Sequence, residues 1–151
     1  MKLSKNLELS EAIRSETAKR IGISNMPTEE HIENLKVLAK NVFQPIRDHF
    51  KKPIRVSSGY RSKELNTALK GASATSQHMT GEALDIDNDG TTISNLEIFQ
   101  FVKDNLEFDT LIWEYGNDES PAWVHISYRN GRPQRNRVLR ATKQGYIKYE
   151  Q

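Results

Sequence analysis

The chain has 151 residues, 36% hydrophobic and 28% charged, which is the make-up of one soluble globular domain, 1–151, and excludes a fibrous or disordered chain. A formal net charge of +2 is too small to argue for nucleic acid. No stretch approaches the ~18 apolar residues of a membrane span, and without cysteine any metal site must be built from His, Asp and Glu. The opening MKLSKNLELSEAIRS lacks an apolar signal core, so the chain is expected to be made and kept in the cytoplasm unless something releases it.

In chain order, SEAIRSETAKRIG at 10–22 predicts a helix with Ser10 as N-cap and Gly22 at its end. It forms part of an N-terminal helical extension, 1–27. Thr28 then opens the longest periodic segment. Ile32, Leu35, Leu38, Ala39, Val42, Phe43, Ile46 and Phe50 recur at three- and four-residue spacing, one apolar stripe of an amphipathic helix, with Pro45 expected to kink or end it. A short strand is predicted at 54–57 and a helix at 62–71, capped by Ser62 and stopped by Gly71. The polar run 72–77 is a loop, 83–87 a strand, Asp87-Asn88-Asp89-Gly90 a turn and 92–106 a helix. Strands follow at 108–115 and 123–128 around the loop 116–121. From Tyr128 to Tyr149 the chain carries Arg129, Arg132, Arg135, Arg137, Arg140, Lys143 and Lys148 and no carboxylate. This basic segment, 129–151, reads as a solvated edge hairpin protected by charge; the alternative is a surface for an anionic polymer. Helices first and antiparallel-looking strands later give an α+β class.

The chemistry concentrates in SQHMTGEALDID at 76–87. Asp85 sits within a strand and has a fixed direction, His78 arrives on the loop before it, and Gly81 lets the backbone turn so that the two side chains converge. Two ligands hold a divalent ion weakly, and a catalytic zinc commonly has three protein ligands. His125 is the strongest third candidate, because in WVHIS it alternates to the face opposite Val124 and Ile126. His31 and His49 lie on the long helix without carboxylate partners and read as helix-surface residues. The Asp87-Asn88-Asp89 run lacks the spaced ligands and terminal Glu of a calcium loop; Asp87 reads as a turn residue or as a group orienting a zinc histidine.

The pattern S-x-H-x-x-G-x-A-x-D, here Ser76, His78, Gly81, Ala83 and Asp85, together with SSGYRS before it and WVHIS after it, resembles the zinc D-Ala-D-Ala carboxypeptidase family and related phage peptidoglycan peptidases. The likeness runs from about Leu7 to Tyr128, with the three motifs in family order. It implies one zinc per chain bound by His78, Asp85 and His125 with a water, and an Arg61 that contacts a substrate carboxylate or the developing oxyanion. It also implies N-terminal helices packed on a small, mainly antiparallel sheet with a zinc cleft, a fold shared with hedgehog signalling domains. The implied function is cleavage of peptidoglycan stem peptides, by a D-Ala-D-Ala carboxypeptidase or an L-Ala-D-Glu-type endopeptidase, in phage or prophage cell-wall lysis. The implied enzyme is a monomer that acts on the wall after release and needs no nucleic acid.

One departure stands out. Family members often place an acid three residues before the third ligand, where this chain has Ala122. Glu119 is the expected general base, because the segment ESPAWVH at 119–125 resembles the corresponding stretch of hedgehog signalling domains, with Glu114 and Asp118 as alternatives; non-catalytic zinc binding in a phage structural or cell-wall-binding domain is the rival reading. Ser76, Trp123 and Tyr60 are expected to contact substrate. Arg61 pairing with an acid, Ser76 capping a turn and Trp113, Tyr115, Trp123 or Tyr60 lying in the core are the structural alternatives.

Overall fold

Residues 1–150 are described by a computed structural model. The chain opens with a hairpin that the sequence reading did not anticipate, β1 (Lys2–Ser4) and β2 (Leu7–Glu8), which buries Leu3 and Leu7. The helix expected at 10–22 is two helices, α1 (Leu9–Ile13) and α2 (Glu16–Ile21). Ser15 breaks it: its backbone is extended and its hydroxyl accepts from the Ala18 N–H as an N-cap. Gly22, with φ 76°, ends α2 as expected.

The apolar stripe forms one continuous helical rod of α3 (Glu29–Leu38), a π-helical turn (Ala39–Phe43) and α4 (Gln44–Phe50). Pro45 does not end it. The π turn bonds the Gln44 N–H to the Ala39 carbonyl, and this wider register sits just before the residue that has no N–H to give. Leu35, Leu38, Val42, Phe43 and Ile46 are buried along the rod, each contributing about 1.5–3 kcal/mol of apolar burial.

After the rod come β3 (Val56–Ser58), α5 (Lys63–Ala68), a 3₁₀ turn (Gln77–Thr80), β4 (Ala83–Ile86) and α6 (Asn95–Asn105). The last four strands are β5 (Thr110–Glu114), β6 (Trp123–Ser127), β7 (Arg137–Thr142) and β8 (Gly145–Lys148). Ser62 caps α5 as predicted, but the helix stops at Ala68 rather than running to Gly71. The sheet order is β3-β4-β6-β5-β7-β8, antiparallel throughout except for the parallel β5–β7 pair. The class is α+β, N-terminal helices with a mixed six-strand sheet. The parallel pair arises because the chain leaves β6, crosses the start of β5 and returns on its other side. Buried Asp109 holds that crossing: its carboxylate accepts from the Arg135 backbone N–H at 3.2 Å and from the Arg135 guanidinium at 2.9 and 2.7 Å. Those bonds outweigh the effect of burial and keep the Asp109 carboxyl well below the usual carboxylate range.

Strand alternation separates the two faces of the sheet. Leu84, Ile86, Leu111, Trp113, Val124 and Ile126 join the core. On the opposite face the register sets Asp85 beside His125, His125 beside Ile112 and Ile112 beside Leu139, one row across four strands. The functional site is built on that row.

Candidate metal centre

His78, Asp85 and His125 come together as the sequence reading expected, with one donor atom from each lying within 4.8 Å of the others. Asp85 and His125 are direct partners on β4 and β6. His78 enters from the 3₁₀ turn, which Ser76 caps and Gly81 closes at φ 79°. A Cβ on Gly81 would lie 2.6 Å from the His31 carbonyl oxygen, so the turn requires glycine twice over, for its φ and for this approach.

Both imidazoles converge on one oxygen: His78 Nε2 is 3.3 Å and His125 Nδ1 3.0 Å from Asp85 Oδ1. His78 Nδ1 lies 2.6 Å from the Gly59 carbonyl. A carbonyl only accepts, so Nδ1 carries a proton, and Nε2 is the ring nitrogen that faces the Asp85 carboxylate, as a donor when protonated and as a metal ligand when not. Between Nε2 and Asp85 Oδ1 a cation must lie, a proton in the metal-free chain or a divalent metal in its place, and the His and Asp donors are ones that zinc accepts. Burial would raise the Asp85 carboxyl, but the His78 charge and the hydrogen bonds from His125 and His78 outweigh it and hold it far below the usual carboxylate range. Asp85 is therefore an anion, ready to ligate.

Gly59 has no room for a side chain, because a Cβ there would meet the Ala12 carbonyl oxygen at 2.2 Å. Gly59→Ala is expected to displace the carbonyl that orients His78, costing about 1–3 kcal/mol of stability and weakening zinc retention. Thermal unfolding and metal analysis of the variant check both effects.

The three residues open into a cavity of about 1020 Å³. Arg61, Ser76 and Trp123, three of the residues read from the sequence as substrate contacts, line it. Arg61 forms no ion pair among the described residues. Its Nη2 donates to Ser76 Oγ at 3.3 Å, its Nε is buried without a partner, and burial pulls its pKa down. Ser76 thus caps the 3₁₀ turn and holds Arg61 at once. Tyr60 does not line the cavity; it is buried in the core, its ring 4.9 Å from His31. The reason is local, since the Tyr60 N–H is tied to the Ala12 carbonyl at 2.7 Å, which draws this residue under α1. His31 completes the capping box of α3, and His49 stacks on Phe101 at 4.1 Å. Trp113 packs on Phe99 in the core, whereas Tyr115 lines the cavity beside Trp123. The Asp87 carboxylate bonds Asn95 and the Asp89 N–H within its turn, and no zinc histidine.

The three candidate bases part company. Glu119 is exposed in the loop after β5, where Asn117 Oδ1 accepts its N–H at 2.8 Å, and it does not line the cavity. Asp118, 92% exposed, pairs with Arg140 at 2.8 Å. Glu114, the last residue of β5, is 6% exposed, lines the cavity and has no ion pair or side-chain hydrogen bond among the described residues. Its carboxyl is pushed up to about 7, by burial foremost and by the Asp85 charge, against the pull of His125 and Arg61. Ala122, at the position of the missing acid, donates its N–H to the Glu114 carbonyl at 2.9 Å. The strand facing β6 thus carries an acid into the cavity, and its backbone is bonded to that of Ala122. The sequence signal was available: alternation in TLIWE puts Glu114 on the face of Ile112, the partner of His125.

The sequence reading missed the contribution of the C-terminal hairpin. Arg129, Arg132, Arg135, Arg137, Leu139 and Tyr146 all line the cavity, so these arginines are not simply a solvated edge.

No helix among the described residues is long and apolar enough to cross a membrane. No curated protein matches the chain. A family model described as Peptidase M15 matches residues 5–127, a span that holds Arg61, His78, Asp85, Glu114 and His125. That match covers most of the chain and includes every member of the candidate metal site, and the chain belongs to the zinc-dependent Peptidase M15 family.

Proposed function

We propose that the protein is a zinc peptidase cleaving the peptide stems of peptidoglycan, as a D-Ala-D-Ala carboxypeptidase or an L-Ala-D-Glu-type endopeptidase. The observation that carries this reading is the convergence of a three-residue metal site, an arginine without an acid partner and a buried carboxyl without a partner in one cavity. His78, Asp85 and His125 would hold a zinc ion, which would supply a Lewis acid for the scissile carbonyl and for a water near neutral pH. Glu114 takes the proton from the attacking water as the new C–O bond forms, and returns it to the amine as the C–N bond breaks. A carboxyl poised near neutral pH suits both transfers. Arg61 offers its unpartnered Nε and fork to a substrate carboxylate or to the charge developing on the carbonyl oxygen. Trp123 and Tyr115 flank the backbone of the bound peptide. Glu114 in the cavity favours catalysis over non-catalytic zinc binding, whose best support was Ala122.

In the same reading the enzyme serves phage or prophage lysis as a monomer that is made in the cytoplasm and acts on the wall after release. The direct test is incubation of the zinc-loaded protein with purified muropeptides, followed by mass spectrometry of the products. Loss of terminal D-Ala identifies a carboxypeptidase, and release of the stem an endopeptidase. Intact muropeptides at full zinc occupancy would reject the proposal. Arg61→Lys keeps the charge but removes the planar fork, and is expected to lower kcat/KM on the order of 10²-fold, checked by steady-state kinetics.

A further inference from the structure

The family match ends at residue 127, yet the cavity does not. Its further wall is the segment that crosses the start of β5 and enters β7. Six cations, Arg61, Lys70 and the four arginines of 129–137, line the cavity against two carboxylates, Asp85 and Glu114. The acids behind the arginine wall do not neutralise it. Arg135 and Arg129 share the single carboxylate of Asp109, at 2.7 and 3.6 Å. Arg132 is 56% exposed and only 3.8 Å from Glu82. Arg137 has no acid partner among the described residues; its Nε and Nη2 donate to the neutral Thr110 hydroxyl at 3.2 and 2.9 Å. Four cations and two carboxylates leave this wall with a surplus of positive charge.

The sheet register says where that charge lies. Leu139 is in the metal row with Ile112 and His125, and Arg137 is two residues along β7 on the same face. Two strand spacings across and two residues along place the Arg137 backbone about 12 Å from that of His125. An extended peptide spans that distance in about three to four residues, and in fewer once Arg137 and a substrate side chain reach toward each other. The wall is thus a second anion site, separate from Arg61 and within reach of a group a residue or two from the scissile bond.

We propose that the arginines of 129–137, with Arg137 at their centre, select stem peptides carrying an additional side-chain carboxylate, diaminopimelate rather than lysine. This rests on the peptidase reading for its substrate and extends it to specificity. Two synthetic stem pentapeptides that differ only in diaminopimelate or lysine at the third position differ by one carboxylate, and are offered to the zinc-loaded protein.

The wild type is expected to favour the diaminopimelate peptide in kcat/KM by about tenfold, the scale of one partly exposed charge-assisted contact. The preference should reside in KM and shrink with added salt. Arg137→Gln should bring the ratio close to one. Arg132→Gln, at an exposed position that leaves the core untouched, should lower it in the same direction, while Lys143→Gln in the hairpin turn retains it. Equal cleavage of both peptides by the wild type, or a preference that survives both arginine variants, overturns the proposal.

If neither peptide is cut, the peptidase reading fails separately, and calorimetric titration of the same pair decides the anion site. Tighter binding of the diaminopimelate peptide that is lost in Arg137→Gln supports it, and equal or absent binding overturns it. Discrimination only toward a purified phosphodiester wall polymer, lost in Arg137→Gln, assigns the arginines to that polymer and also overturns the proposal.

Discussion

Glu114→Gln is expected to lower kcat for stem-peptide cleavage by a factor on the order of 10³, within the range for removal of a general acid–base group, while the variant still binds zinc. Glu119→Gln is expected to leave kcat within about twofold, as befits an exposed surface change. The pair separates the two acids cleanly, because each substitution removes one ionisable carboxyl and keeps the side-chain shape. Steady-state kinetics with metal analysis of both variants is the check, and a collapse of activity in Glu119→Gln with Glu114→Gln unaffected would reverse the assignment. The metal-free protein offers a second readout. Glu114 titrates near 7 in the folded chain against an ordinary value of 4.5, so between those values the folded state holds a proton that the unfolded state has released. Its contribution to stability is therefore complete below 4.5 and is lost as the pH rises through 7, a fall of about 3 kcal/mol. Glu114→Gln cannot release a proton, and denaturant unfolding of the metal-free variant should lack that component of the slope.

His78→Ala is expected to eliminate both metal retention and cleavage. The substitution removes Nε2, one of three donors, and a His–Asp pair alone holds a divalent ion weakly. Zinc that binds the folded wild type is expected to raise its melting temperature with zinc concentration; in His78→Ala that dependence should vanish. The variant also strips Asp85 of the neighbour whose charge does most to keep its buried carboxylate ionised. Elemental analysis after dialysis and zinc-dependent thermal shifts test the expectation independently of any substrate. One zinc per chain retained by the variant would remove His78 from the ligand set.

The local sequence carried much of this protein. The apolar spacing from Ile32 to Phe50 specified the helical rod, since periodicity depends only on near neighbours along the chain. Thr28, Ser62 and Gly22 end helices through bonds that span three or four residues, so their roles were legible too. The candidate metal site was legible because His78 and Asp85 lie on one short turn-and-strand unit and strand alternation aimed His125 at the same face. The N-terminal hairpin was missed because its strands of two and three residues are too short to show a period, and the break at Ser15 because a single capping serine outweighed an otherwise helical pattern.

Ranking the candidate acids and placing the arginines needed the folded sheet. Glu114 reaches the cavity from β5, a different strand from His125, whereas Glu119, the acid that the chain before His125 suggested, lies exposed in its loop. Tyr60 reads as a cleft residue beside Arg61, but a single backbone bond to Ala12 seats it in the core. The arginines of 129–137 look like surface charge until the chain crosses β5, pairs β7 parallel to it and turns them onto the metal face. Pairing between distant strands is selected by the burial of the whole sheet, a sum over residues far apart in sequence. The candidate ligand set is thus local chemistry, whereas which carboxyl and which arginines face the cavity depends on which strands the folded sheet makes neighbours.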